Sequence, residues 1–173
     1  MFETSGIINE DTIRELKVIA ISPKKKKFFR NFSIIYSLLG LLSIVLGLVV
    51  PSIIGIAVGI LCEIIAVASI GIILYSQNLF QKKNIETLKE ISNENCFNLK
   101  TIFNEYGAVI NNLTTLSKVE IKYEYFERFA ETSNMYLLIT KSGQQTITFK
   151  NCLNDEEKNS FKEFIKEKCK NIK

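Results

Sequence analysis

From Phe32 to Tyr75 the chain runs for 44 residues with a single charged side chain, Glu63. Crossing the hydrocarbon core of a bilayer takes roughly 20 apolar residues in helical conformation, so a run of this length predicts two spans. Pro51 and Ser52 divide it into a first span at about 28–50 and a second at about 53–75. A connection that short forces the two helices to be antiparallel neighbours. Ser43 and Gly47 in the first, and Gly55 and Gly59 in the second, are small enough to let the two backbones approach closely.

The flanks of this run are crowded with charge. Lys24, Lys25, Lys26, Lys27 and Arg30 precede it, Lys82 and Lys83 follow it, and the turn between the spans carries no charge. The positive-inside bias then predicts a multi-pass protein of the cell (inner or plasma) membrane with both termini in the cytosol. The first apolar run begins about thirty residues in and lacks a small-x-small cleavage site, so retention in the membrane is expected rather than removal as a signal peptide.

Residues 1–31 hold seven basic and four acidic groups, and residues 76–173 hold fifteen and thirteen. The net charge of +4 therefore sits beside the membrane, and no nucleic-acid readout motif accompanies it, so nucleic acid is not expected as a partner. The lysine run can serve as topogenic charge or contact anionic lipid headgroups, and the two roles are compatible.

Glu63 stands about ten residues from each end of the second span, near the bilayer midplane. An acidic side chain at that depth costs roughly 2.5–3.5 kcal/mol on insertion scales. It is the candidate intramembrane polar site: an ion or proton site, or a protonated carboxyl hydrogen-bonded to Ser37, Ser43 or a second copy of itself. Two spans alone enclose no conduction path, so transport would require several copies.

Elsewhere the chain reads as a small soluble domain. Residues 2–8 suggest a strand, and Ile13, Leu16, Ile19 and Ala20 recur at helical spacing before Pro23, where that helix is expected to end. Gln77 to Asn95 suggest a helical linker. Six short β-rich runs follow, at 97–103, 108–112, 118–121, 127–132, 135–141 and 145–149, with tight turns expected at Ser133-Asn134 and Ser142-Gly143. Tyr123, Phe126 and Phe129 recur every three residues and suit a helical turn. Asn154 and Glu157 form a capping box opening a last helix, whose stripe of Phe161, Phe164, Ile165, Cys169 and Ile172 needs a sheet to pack against.

The expected organisation is a cytosolic strand and helix over 1–27, a hairpin over 28–76, a linker over 77–95 and a cytosolic domain over 96–173. The fold class is a membrane α-helical hairpin plus an α+β soluble domain.

There is no histidine, and Cys62, Cys96, Cys152 and Cys169 show no CxxC spacing. Ser-His-Asp and Cys-His catalysis and most zinc chemistry are thereby removed. Glu120, Glu124, Glu127 and Glu131 alternate with Lys118, Lys122 and Arg128, the pattern of a solvated face. No enzyme activity, cofactor or metal is expected.

Several segments carry a family resemblance: Phe103-Asn104-Glu105-Tyr106-Gly107-Ala108-Val109, then Ile121-Lys122-Tyr123-Glu124-Tyr125-Phe126, then 131–138, then the Phe-rich helix. Together with the two adjacent spans, the chain resembles the YcxB-like membrane proteins of bacteria. An aromatic, often Trp, is usual where Tyr123 stands, and a Pro-Lys pair where this chain has Phe149-Lys150; it departs from the family in lacking that Trp and that Pro. The resemblance implies a pleckstrin-homology-like domain, two small sheets in a barrel or sandwich capped by a C-terminal helix, and implies no activity. The expected function is a membrane-anchored, non-enzymatic interaction module whose cytosolic domain docks a protein or a lipid headgroup. The alternative is an accessory or immunity-type protein acting through its transmembrane hairpin. Membrane lipids, and a protein partner or a second copy of the chain, are the expected partners.

Overall fold

A computed structural model describes residues 1–92 and 95–172, apart from the Val18 side chain. The expected linker and C-terminal domain therefore each reach a little outside the described residues, at 93–94 and at 173. The chain divides into two compact units, one formed by Met1–Leu16 with Lys83–Lys173 and the other by Lys17–Lys82.

In the first unit, β1 (Phe2–Ile8) is followed by α1 (Glu10–Leu16). β2 (Phe97–Phe103), β3 (Gly107–Asn112) and β4 (Ser117–Lys122) continue the sheet, which has the order β1-β2-β3-β4. A 3-10 turn at Tyr123–Tyr125 leads to the second sheet, β5 (Phe126–Glu131), β6 (Met135–Thr140) and β7 (Gln145–Phe149), in that order. Every pairing is antiparallel. α4 (Asp155–Lys168) closes the domain, opened by the expected capping box: Asn154 Oδ1 accepts from Glu157 N at 2.8 Å, and Glu157 Oε2 accepts from Asn154 N at 2.9 Å.

β1 pairs with β2 along its whole length, from Phe2 opposite Phe103 to Ile8 opposite Phe97. The N-terminal strand is thus the edge strand of the four-stranded sheet, and residues 17–82 are inserted between two parts of one folded unit. At Gly6 an added Cβ would sit 2.6 Å from the Phe149 ring, so glycine there lets β7 lie against β1. The stripe on α4 packs as its spacing requires. Phe161, Ile165 and Cys169 are buried with Phe103, Tyr136 and Leu138, and Phe164 and Ile172 pack partly buried against them. The Phe161 ring meets Phe103 edge-on at 5.0 Å and Phe2 edge-on at 5.3 Å, the geometry aromatic quadrupoles favour.

The turn at Ser133-Asn134 is tight, with Thr132 N donating to Met135 O at 2.9 Å. The β6–β7 connection is longer: Thr140 N donates to Gln144 O, and Gly143 takes the positive φ of +91° that glycine adopts without strain.

The second unit is the hairpin. α2 runs from Pro23 to Val49 and α3 from Ile53 to Ile91, with mean hydropathies of 2.4 and 2.6 over their most apolar windows. Both are long and apolar enough to span a membrane. Pro23 begins α2 rather than ending the helix before it, because Ser22 caps the new helix and proline at the first helical position gives up an N–H that has no helical partner anyway. The preceding helix stops at Leu16 and passes into a 3-10 turn over Lys17–Ile19. α2 therefore starts five residues before the expected 28 and takes in all four lysines. α3 continues unbroken through the expected linker as far as Ile91.

Candidate functional site

These elements bring together three clusters of side chains. The first lies inside the hairpin. Ser33, Gly40 and Gly47 are the buried residues of α2, spaced by seven, which keeps one seam against a partner helix. Against it, Gly59 and Ala66 of α3 repeat at the same interval.

An added Cβ on Gly47 would lie 2.9 Å from Ile56 N, and one on Gly55 would lie 3.2 Å from Gly47 Cα. Gly47, Gly55 and Gly59 are thus contact positions. Ser43 contributes its backbone, with its carbonyl oxygen 3.6 Å from the Gly55 position. Gly40 was missed in the sequence, although its seven-residue spacing to Ser33 and Gly47 was visible there.

Gly40 also makes room for Glu63, whose Oε1 would be 2.9 Å from a Cβ at that position. Ser37 Oγ donates to Glu63, at 3.1 Å to Oε2 and 3.3 Å to Oε1. Ser33 Oγ donates to the Ala66 carbonyl at 2.9 Å. Interhelical hydrogen bonds of this kind average about 0.6 kcal/mol in membranes, against roughly 2.5–3.5 kcal/mol for an ionised acid at the helix centre. Ser37 thus offsets only a fraction of that cost.

The second cluster is the N-terminal end of α2. Lys24, Lys25, Lys27 and Arg30 are exposed and Lys26 half-buried, with no acidic residue in the first turn. Lys26, Lys27 and Arg30 line a groove of about 600 Å³ whose floor is Ile34, Ile70 and Ile73; Lys24 and Lys25 lie outside it.

The third cluster was not anticipated. At the junction of β5, β6 and α4 a polar cavity of about 640 Å³ is lined by Glu131, Tyr136, Lys150, Asp155, Lys158 and Lys162, among others. Glu131 joins two of the lysines, at 2.8 Å to Lys150 Nζ and 2.9 Å to Lys162 Nζ. Both ammonium groups stand over the Tyr136 ring, at 4.8 and 5.2 Å from its centroid. Lys150 also donates to the Thr132 carbonyl. The cluster draws on residues up to 31 apart, and no local spacing announces it.

The hydrogen bond from Lys150 holds the Glu131 carboxyl below the usual carboxylate range; partial burial opposes this, and the Lys162 bond and both positive charges add to it. Next to the cavity, Glu15 Oε1 accepts from Asn134 N at 2.7 Å. Burial raises the Glu15 pKa, but hydrogen bonds from Thr132 and Asn134 and the Lys150 charge outweigh it and leave the group below its ordinary value.

A carboxylate with a depressed folded pKa contributes stability that is present above its unfolded pKa, near 4.3, and is lost as pH falls through the folded value. Glu131 is 41% exposed, so solvent screens the pair and Glu131→Gln should cost roughly 0.5–1 kcal/mol at pH 7. Thermal unfolding of the full chain in micelles should lose stability from about pH 5 downward. The loss should be shallower in Glu131→Gln, and parallel slopes would remove this assignment.

Comparison with known proteins bears on the same region. Residues 110–165 match the family described as YcxB-like protein. The YcxB-like segment takes in the end of β3, all of β4 to β7 and most of α4, and with them all six cavity residues named above. The hairpin and β1 lie outside it. No curated protein and no solved structure matches the chain.

Proposed function

We propose that this chain is a membrane-anchored, non-enzymatic interaction module of a bacterial inner membrane, spanning it twice and docking a protein at the cytosolic leaflet. The observation that carries the proposal is the pairing of β1 with β2 on either side of the inserted hairpin. A sheet built from both flanks can form only if both flanks are on one side of the membrane, and the lysines beside the spans favour the cytosol. The sheet order β1-β2-β3-β4 and β5-β6-β7, closed by α4, supports a pleckstrin-homology-like fold for the domain.

The docking surface is the cavity at Lys150, Lys158 and Lys162. Glu131 and Asp155 stand among the lysines and would repel a lipid phosphate, whereas both signs of charge beside Asn134, Asn151 and Asn159 suit a polar peptide segment. A photo-crosslinking residue at Asn159 in native membranes should capture a heterologous protein, and Lys162→Glu should abolish the adduct.

A role for the hairpin itself is favoured by Glu63, which has Ser37 as its hydrogen-bond partner among the described residues. Adducts obtained only from a photo-crosslinker at Ile64, on the exposed face of α3, and lost in Glu63→Gln, would move the function into the membrane.

A further inference from the structure

The first turn of α2 is built against the usual rule. The N-terminal end of a helix carries about half a positive charge, which favours acidic residues there and disfavours basic ones. α2 instead places Lys24, Lys25 and Lys26 in that turn, with Lys27 and Arg30 following and no acid among them. An anion at this end would offset both the side-chain repulsion and the helix dipole.

The groove supplies a place for one. Residues 23, 27, 30 and 34 follow one another along one face of α2, and residues 70, 73 and 77 do so along α3, so the two helices form its walls. The lining changes character along its length: Lys26, Lys27 and Arg30 at the α2 N-terminus, then Ser33, then Ile34 with Ile70 and Ile73. Among the described residues no acidic side chain lines it, in contrast to the cavity at Glu131 and Asp155. Ile34 and Ile70 remain about half exposed, at 52% and 49%.

We infer that this groove is a binding site for one anionic phospholipid of the surrounding leaflet. Its phosphate lies against Lys27 and Arg30, with Lys26 behind them, and the first carbons of an acyl chain lie along Ile34, Ile70 and Ile73. Gln77, on the α3 wall, is placed to hydrogen-bond a headgroup oxygen. Charge complementarity selects the anion, and the apolar floor selects a lipid over a free phosphate. The site is independent of the cavity proposed to dock a protein.

The test uses the full chain in detergent, titrated with phosphatidylglycerol, phosphatidylcholine or inorganic phosphate and read by native mass spectrometry. One phosphatidylglycerol per chain should be retained at least tenfold more tightly than phosphatidylcholine, and inorganic phosphate should not compete. Lys27→Gln with Arg30→Gln should weaken retention roughly 30-fold, the effect of two interfacial cations. Lys24→Gln with Lys25→Gln removes the same charge outside the groove and should change it less than threefold.

Ile34→Trp fills the floor without altering charge and should also weaken binding. Equal losses from the two charge pairs, indifference to Ile34→Trp, or competition by phosphate would each overturn the site. None of these outcomes bears on crosslinking from Asn159.

Discussion

Residues 96–173 expressed alone are expected to remain unfolded, whereas residues 1–16 joined through a short linker to 83–173 should give a soluble, cooperatively folding domain. The shorter fragment lacks β1, the edge strand that pairs with β2 over seven residues. It also lacks Ile8, Ile13, Leu16 and Leu88, which are 3%, 3%, 6% and 1% exposed.

At roughly 1.5–3 kcal/mol per buried side chain, those four contribute about 6–12 kcal/mol, comparable to the 5–15 kcal/mol that separates a folded domain from its unfolded chain. Loss of β1 would also leave β2 as a bare edge, prone to pair with other chains. The two segments can be reconnected because α1 and the end of α3 meet within the unit, with Glu10 Oε1 3.5 Å from Lys89 Nζ. A Gly/Ser linker of about ten residues has ample reach. Thermal unfolding by near-ultraviolet circular dichroism decides it, and a cooperative transition from 96–173 alone would show that β1 is dispensable.

That expectation reverses the linear series of domains the sequence suggested, and the reason is physical. Alternation and turn residues reveal that 2–8 and 97–103 are strands, because both signals are local. Which strand pairs with which depends on contacts nearly a hundred residues apart, and nothing in either heptapeptide specifies its neighbour. The 44-residue apolar run invited a boundary on each side, where the chain instead interrupts a domain and returns to it.

The same distinction separates what was readable in the candidate sites. Glu63 stood out because a charge in an apolar run violates composition, and Asn154 with Glu157 because a capping box is a fixed local spacing. Lys150, Lys158 and Lys162 did not, since surface lysines are common and only the fold brings them over Tyr136. Proline breaks helices from within, so Pro23 alone suggests the end of one helix; Ser22 beside it is the sign that it starts one.

Within the hairpin, Gly59→Leu should separate the helices, while Gly71→Leu should be silent. Both replace glycine by leucine in α3 and raise its hydropathy equally, so they differ only in what the new side chain meets. At Gly59 a Cβ would overlap Ile44 Cγ1 and lie 2.7 Å from the Gly40 carbonyl oxygen; at Gly71 nothing stands within 4 Å.

Inserting a side chain into a packed site typically costs 1–3 kcal/mol. Here the obstacle is backbone as well as side chain, which puts the cost at about 3 kcal/mol. A native thiol reports it. Cys62 lies half-buried at the seam, its Cβ 3.2 Å from a Cβ placed on Gly40, and its alkylation by N-ethylmaleimide in micelles should accelerate when the helices open.

If opening is fast relative to alkylation, about 3 kcal/mol corresponds to a rate increase of up to roughly 100-fold in Gly59→Leu, with Gly71→Leu indistinguishable from wild type. Peptide mapping separates this signal from the other thiols. Cys169, buried at the end of α4 in the α+β unit with its thiol pushed up to about 11 by burial, should stay unmodified in both variants. Equal rates for Cys62 in both would mean that the glycine seam does not hold the hairpin closed. The packing of Ser33 on the Ala66 carbonyl and of Ser37 on Glu63 would then have to carry the association.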